Sequence, residues 1–206
     1  MQPLVRLSGP FPPVLDVCCG PRGMWFNKHD ERAMFTDKRR ELVEMDCPSG
    51  KYKYDINPDI VADVACLPFP SDTFFHVVFD PPHCKGTECR RRGLNGRHYG
   101  LLFDGWRDML RKGFAECFRV LRPGGTLVFK WNEQEIPVRE ILMLTPEKPL
   151  YGHKSGKRAK THWIAFLKPN SVLGRSHPST VTERQDQGHD AGKMVKKPLD
   201  GDRAVG

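Results

Sequence analysis

The stretch Phe75-His76-Val77-Val78-Phe79-Asp80-Pro81-Pro82-His83 decides the fold. Phe75 to Phe79 has the aromatic and β-branched composition of a buried strand. Asp80-Pro81-Pro82 stops it, because proline lacks the N–H a strand ladder needs. Downstream, Trp106, Met109, Leu110, Gly113, Phe114, Cys117, Phe118 and Leu121 recur at spacings of three and four. That spacing predicts one apolar helical stripe, with Arg107, Arg111, Lys112, Glu116 and Arg119 falling elsewhere. Pro123 ends the helix, Gly124-Gly125 supports a sharp return, and Thr126 to Trp131 is the next buried strand. Strand, helix, strand in this order is a right-handed parallel crossover.

The same alternation extends upstream. Val14 to Val17 reads as a strand, Ala33 to Thr36 as a second ending at Asp37, and Ile60 to Ala62 as a short third ending at Asp63. After the decisive unit, His162 to Leu167 is a further apolar run. Leu150 to His153 pairs with it through the turn Lys154-Ser155-Gly156-Lys157. The expected architecture is α/β: a Rossmann-like, mostly parallel sheet with helices on both faces and a late antiparallel hairpin. Residues 1–169 form the expected domain. Residues 170–206 are polar and nearly free of large apolar side chains, the composition of a disordered tail.

Composition narrows the class. Of 206 residues, 38% are hydrophobic and 28% charged, which suits one globular domain. No apolar run approaches the roughly 20 residues of a membrane span. The N-terminal stretch lacks the apolar core of a secretion signal, so the cytoplasm is the expected compartment. An odd count of seven cysteines fits reduced thiols there. His83, Cys84 and Cys89 lack a fourth ligand at zinc spacing, so no metal is expected. The net charge is +8, of which residues 169–206 carry only +1, with six Lys/Arg against five Asp/Glu. A basic body suits a polyanionic partner, although a solvated basic face has the same balance.

Four features carry chemistry. Val14-Leu15-Asp16-Val17-Cys18-Cys19-Gly20-Pro21-Arg22-Gly23 runs a strand into a tight turn, where Gly20 and Gly23 allow a ligand to approach the backbone. Asp37 follows by about 20 residues, the distance at which an acid bonds ribose hydroxyls. Asp63 ends the third strand, where it suits an adenine amino group. A bland turn fits the first and an ordinary loop acid fits Asp63 equally well, while a helix N-cap is the less favoured rival reading of Asp37. The fourth is Asp80-Pro81-Pro82-His83, a stiff loop aiming the Asp80 carboxylate and the Pro81 carbonyl at one point above the sheet. Two converging acceptors hold an amino group, and the flat His83 ring suits stacking on a base.

These motifs resemble those of class I S-adenosylmethionine-dependent methyltransferases. Asp16-Val17-Cys18-Cys19-Gly20-Pro21-Arg22 is similar to the D-P-F-C-G-S-G loop of the amino-methyltransferases, and Asp80-Pro81-Pro82-His83 to their D-P-P-Y. Cys18-Cys19-Gly20, Trp25-Phe26, Lys28, F-D-P-P-H, E-C-F-R-V-L-R-P-G-G and T-H-W together resemble small methyltransferase-like proteins of bacteria and phages. Arg22 stands where the amino-methyltransferase loop has glycine, and His83 where it has the aromatic. The resemblance covers residues 14–168. It implies that Asp16, Cys18 and Gly20 line the methionine end of S-adenosylmethionine, that Asp37 binds its ribose and Asp63 its adenine. Asp80, Pro81, Pro82 and His83 then form the catalytic acceptor loop.

Two basic groups frame the expected acceptor. Arg90, Arg91, Arg92 and Arg97 lie in a glycine-containing stretch after that loop, and Lys157 and Arg158 in the late hairpin. Near a bound substrate they suit phosphate contacts, and as solvated runs they need no ligand. No Pro-Cys nucleophile for carbon methylation and no G-x-x-x-x-G-K-[ST] loop is present. The expected activity is methyl transfer to an exocyclic amino group of a nucleic-acid base, with DNA adenine favoured and RNA also suitable. The rival readings are methylation of RNA, protein or a small amine, and a non-catalytic nucleic-acid-binding module on the same fold.

Overall fold

The computed structural model describes residues 9–47, 50–85, 100–155 and 160–170. Apart from Asn170, the expected tail lies outside these residues. Nine strands are described: β1 (Val14–Asp16), β2 (Ala33–Asp37), β3 (Glu41–Cys47), β4 (Gly50–Ile56), β5 (Ile60–Val61), β6 (Phe74–Phe79), β7 (Leu121–Asn132), β8 (Tyr151–Ser155) and β9 (Thr161–Leu167). Seven of them form one sheet in the order β5-β2-β1-β6-β7-β9-β8. β5, β2, β1, β6 and β7 run parallel, while β9 lies antiparallel between β7 and β8. This is the expected mostly parallel sheet with a late antiparallel hairpin.

Helix α1 (Trp106–Val120) makes the predicted crossover from β6 to β7. Its stripe Leu110, Phe114, Cys117 and Phe118 is buried on the sheet. Phe114 meets Phe79 edge-on at 5.3 Å and Phe129 at 4.9 Å, aromatic geometry that adds about 0.5–1.5 kcal/mol per pair beyond area burial. A short helix, α2 (Val138–Leu142), follows β7.

Three details depart from expectation. Helical cover among the described residues is thinner than predicted: residues 17–32 and 62–73 form turns and bends, and residues 38–59 carry the antiparallel β3–β4 hairpin. Pro21, Pro68 and Pro70 each remove a backbone donor from those links. The chain extends at Leu121, so Pro123-Gly124-Gly125 lies inside β7 rather than between helix and strand, beside a register shift against β6. A Cβ at Gly125 would meet the Phe75 carbonyl and Leu121 at 2.8 Å, so only glycine fits there. Finally, Cys84 is disulfide-bonded, against the expectation of reduced thiols, whereas Cys18, Cys19, Cys66 and Cys117 are free. No helix among the described residues is long and apolar enough to cross a membrane.

Candidate active site

Parallel strands deliver their carboxyl ends to one edge, and four acids stand there. Asp16 ends β1, Asp37 ends β2, Asp63 follows β5 and Asp80 follows β6. A cavity of about 270 Å³ opens at this edge. Of the predicted residues, Cys18, Gly20, Asp37, Asp63, Asp80 and Pro82 line it. Asp16, Pro81 and His83 do not, and Asp16 lies fully buried. The predicted Arg90, Arg91, Arg92, Arg97, Lys157 and Arg158 lie outside the described residues.

The loop after β1 is shaped by two left-handed residues, Gly20 at φ 49° and Arg22 at φ 55°. Gly23 does not share this conformation, so the permissive turn is built one residue earlier, at an arginine. Arg22 is held there by its guanidinium. Nη1 donates to the Lys28 carbonyl at 2.5 Å, while Nη2 donates to the Asn57 carbonyl and to Asp59, each at 2.9 Å. The same group lies 3.9 Å over the Phe35 ring. A side chain thus staples the loop to the link between β4 and β5.

Asp16 supports the loop from below. It accepts from Trp25 Nε1 at 2.8 Å and from the Cys18 N–H at 3.3 Å. Burial pushes its pKa up to about 7; the Trp25 bond opposes this, and the negative charge of Asp80 adds to it. Burial, with Asp37 and Asp16 nearby, pushes the Cys18 thiol well above its usual range, so it stays protonated and unreactive.

Each cavity carboxylate has a cation beside it. Asp37 accepts from the Gly20 N–H through Oδ2 and from the Arg39 N–H through Oδ1, both at 2.9 Å, with Arg39 Nε 3.4 Å away. Asp63 accepts from the Ala65 N–H and from Lys38 Nζ, both at 2.9 Å. Burial would raise the Asp63 pKa, but these two bonds hold it below its ordinary value. Asp80 Oδ2 accepts from Lys130 Nζ at 2.5 Å, whereas its Oδ1 is buried with no hydrogen-bond partner among the described residues.

The rest of the loop after β6 is braced by neighbouring elements. His83 meets Trp131 edge-on at 6.2 Å. Burial lowers its pKa; Asp80, the Pro81 backbone and Glu135 oppose this more weakly. Glu135 accepts the Lys85 N–H at 2.6 Å, tying the loop to the segment after β7. Glu133 lies 2.9 Å from His162 Nε2 and 3.3 Å from Lys154 Nζ. Arg39, Lys38 and Lys130 carry no role in the sequence pattern, and Arg22 and Trp25 enter it only as motif positions without a role. Lys130 alone leaves a local signal, as a single charge within the run Thr126 to Trp131.

No protein-family model and no curated protein matches the chain. Among solved structures it is similar to the PH0226 protein from Pyrococcus horikoshii OT3, with 17% identity over 75% of this chain and 81% of that one and a TM-score of 0.48. It is also similar to the Burkholderia thailandensis 1,6-didemethyltoxoflavin-N1-methyltransferase with 1,6-didemethyltoxoflavin and S-adenosylhomocysteine bound. There the identity is 13% over 76% of this chain and 71% of that one, with a TM-score of 0.44. The cyclase SpnF is similar at 12% identity over 79% and 76% of the two chains, with a TM-score of 0.43. Likeness at this level bears on neither activity nor substrate.

Proposed function

We propose that the chain is an S-adenosylmethionine-dependent methyltransferase acting on an exocyclic amino group of a nucleic-acid base, with adenine in DNA the preferred acceptor. The observation that carries this reading is Asp80 Oδ1, a buried oxygen on the cavity wall with no partner among the described residues. Leaving a buried acceptor unmet costs about 1–3 kcal/mol, so a donor brought by a ligand completes the site. An amino N–H is such a donor.

The residues also fit the cofactor. Each carboxylate oxygen carries two lone pairs. At Asp37 the Gly20 N–H takes one on Oδ2, while Oδ1 takes the Arg39 N–H and faces Arg39 Nε, which leaves a lone pair on Oδ2 for a ribose hydroxyl. Asp63 has the same spare capacity toward an adenine amino group. Cys18 and Gly20 line the wall nearest β1, where they would meet the methionine end. Held there, S-adenosylmethionine would supply an activated methyl group on its sulfonium for transfer to the acceptor nitrogen, with S-adenosylhomocysteine as the leaving product.

The chain's own work is positioning, which supplies much of the rate when the donor is already reactive. Asp80 Oδ1 accepts one N–H, turns the nitrogen lone pair toward the methyl group, and takes up the proton released after transfer. Pro81 and Pro82 hold the carboxylate in place. His83, off the cavity wall, acts as a brace for the loop. A base in a duplex has to be flipped out to reach this depth, and Arg90, Arg91, Arg92, Arg97, Lys157 and Arg158 are the candidates for phosphate contacts.

Incubation with radiolabelled cofactor and separate pools of DNA, RNA and protein tests this reading. DNA is expected to take the label. Asp80→Ala is expected to bind cofactor normally and to lose at least about two orders of magnitude in transfer, as when positioning fails. Label in RNA or protein alone would replace the acceptor assignment. Normal transfer by Asp80→Ala would remove the amino-group reading.

A further inference from the structure

The Asp80–Lys130 pair is the most buried of the three carboxylate–cation pairs of the cavity. Lys38 and Asp63 are 66% and 33% exposed at their side chains and Arg39 and Asp37 27% and 9%, whereas Lys130 and Asp80 are only 19% and 5% exposed. Lys130 comes from an otherwise apolar part of β7. Phe129 pairs with Phe79 across the parallel ladder, which brings the next residues, Lys130 and Asp80, together at the sheet edge. Lys130 Nζ also lies 5.5 Å over the Trp163 ring, and the residue lines the cavity. A lysine this buried is costly unless paired, and its pairing engages Oδ2 of Asp80.

We infer, on the methyltransferase reading above, that Lys130 is a positioning residue that fixes the charge of the acceptor. It cancels the Asp80 charge and leaves Oδ1 as the carboxylate oxygen with no partner among the described residues, so the site takes a neutral N–H donor and rejects a protonated amine. The two oxygens of one carboxylate are close together. An ammonium bonded to Oδ1 would therefore sit within a few ångströms of the Lys130 ammonium, with little water between them to screen the repulsion. Nucleobase amino groups are uncharged at neutral pH, whereas lysine side chains and alkyl amines are protonated. The pair therefore separates the two classes of acceptor by charge.

Two cofactor analogues read this directly, without an acceptor. S-adenosylhomocysteine is uncharged at sulfur, while sinefungin carries an ammonium where the methyl group sits, standing in for a protonated amine at the point of transfer. Calorimetric affinities for both would be measured on the wild type, Lys130→Met and Lys130→Arg. In Lys130→Met the preference for sinefungin over S-adenosylhomocysteine is expected to rise at least about tenfold, because an unpaired carboxylate then faces the ammonium. Lys130→Arg is expected to keep the wild-type ratio. General damage to the cavity weakens both ligands and leaves the ratio alone. An unchanged ratio in Lys130→Met, or an equal rise in Lys130→Arg, overturns the role of Lys130 while the methyltransferase reading stands. If the wild type binds neither analogue, the cofactor assignment fails and the role of Lys130 fails with it.

Discussion

Replacing Arg22 by alanine removes the loop's staple in one step. The two bonds to the Lys28 and Asn57 carbonyls are charge-assisted and contribute about 1.5 kcal/mol each at the low end of their range. Asp59 is 44% exposed, so that ion pair adds only about 0.5 kcal/mol after solvent screening. The contact with Phe35 adds about 1 kcal/mol. The expected loss is about 4–5 kcal/mol, a large share of the roughly 5–15 kcal/mol that holds a domain together. At about 2–4 °C per kcal/mol for a domain of this size, melting falls by roughly 8–20 °C. Glycine at the same position separates staple from strain. It relieves about 1–2 kcal/mol of left-handed strain at φ 55° and costs about 0.5–1 kcal/mol through a freer unfolded chain. Arg22→Gly should therefore melt slightly above Arg22→Ala. Thermal and denaturant unfolding of both variants decides the matter. A loss below about 1 kcal/mol in Arg22→Ala, or a glycine variant less stable than the alanine one, refutes the reasoning.

Three further outcomes are expected. Asp37→Ala should weaken S-adenosylmethionine binding by about 1–3 kcal/mol by calorimetry, through a lost hydrogen bond to the ribose; unchanged affinity removes Asp37 from that role. Asp16 has a folded pKa of about 7 against an ordinary 3.8, so the stability it allows is complete below about 4 and is lost as pH rises through about 7. Unfolding free energies measured from pH 4 to 8 should fall across that window in the wild type and stay flatter in Asp16→Asn; parallel profiles would show that Asp16 titrates normally. Gly125→Ala forces a Cβ to 2.8 Å from the Phe75 carbonyl and 2.9 Å from that of Arg122, and overpacking of this kind costs about 1–3 kcal/mol or more in a melt.

The central crossover was legible because β6, α1 and β7 follow simple periods, two for the strands and 3.6 for the helix. Asp37 and Asp63 were found at strand ends because a single acid after an apolar run is a local pattern. The β3–β4 hairpin went unread, although Lys51-Tyr52-Lys53-Tyr54 alternates in the period of a strand. Its two faces are polar enough to resemble a loop. The pairings of Arg22 and Lys130 are illegible for another reason. Their partners, Asn57, Asp59 and Asp80, lie 35 to 50 residues away in sequence, and no local period reports a pairing that only the folded sheet creates. His83 is expected at the cavity for its flat ring and its place at the end of the D-P-P-Y-like motif. A loop leaving a strand turns successive side chains to different sides, and Asp80 and Pro82 line the cavity while Pro81 and His83 do not.

The placement of β9 between β7 and β8 also governs the order in which the sheet is finished. A ribosome releases β7 well before β9, so the nascent β7 has β6 on one side and an open edge on the other. β8 emerges next but pairs only with β9 and cannot close that edge by itself. Open strand edges recruit other chains, and the exposure lasts until residues 161–167 leave the exit tunnel. Only then do both strands lock in together, as one late step. A chain stalled between Ser155 and Thr161 would hold a nearly complete sheet with its stickiest edge still bare, which makes those last residues a guard against association during synthesis.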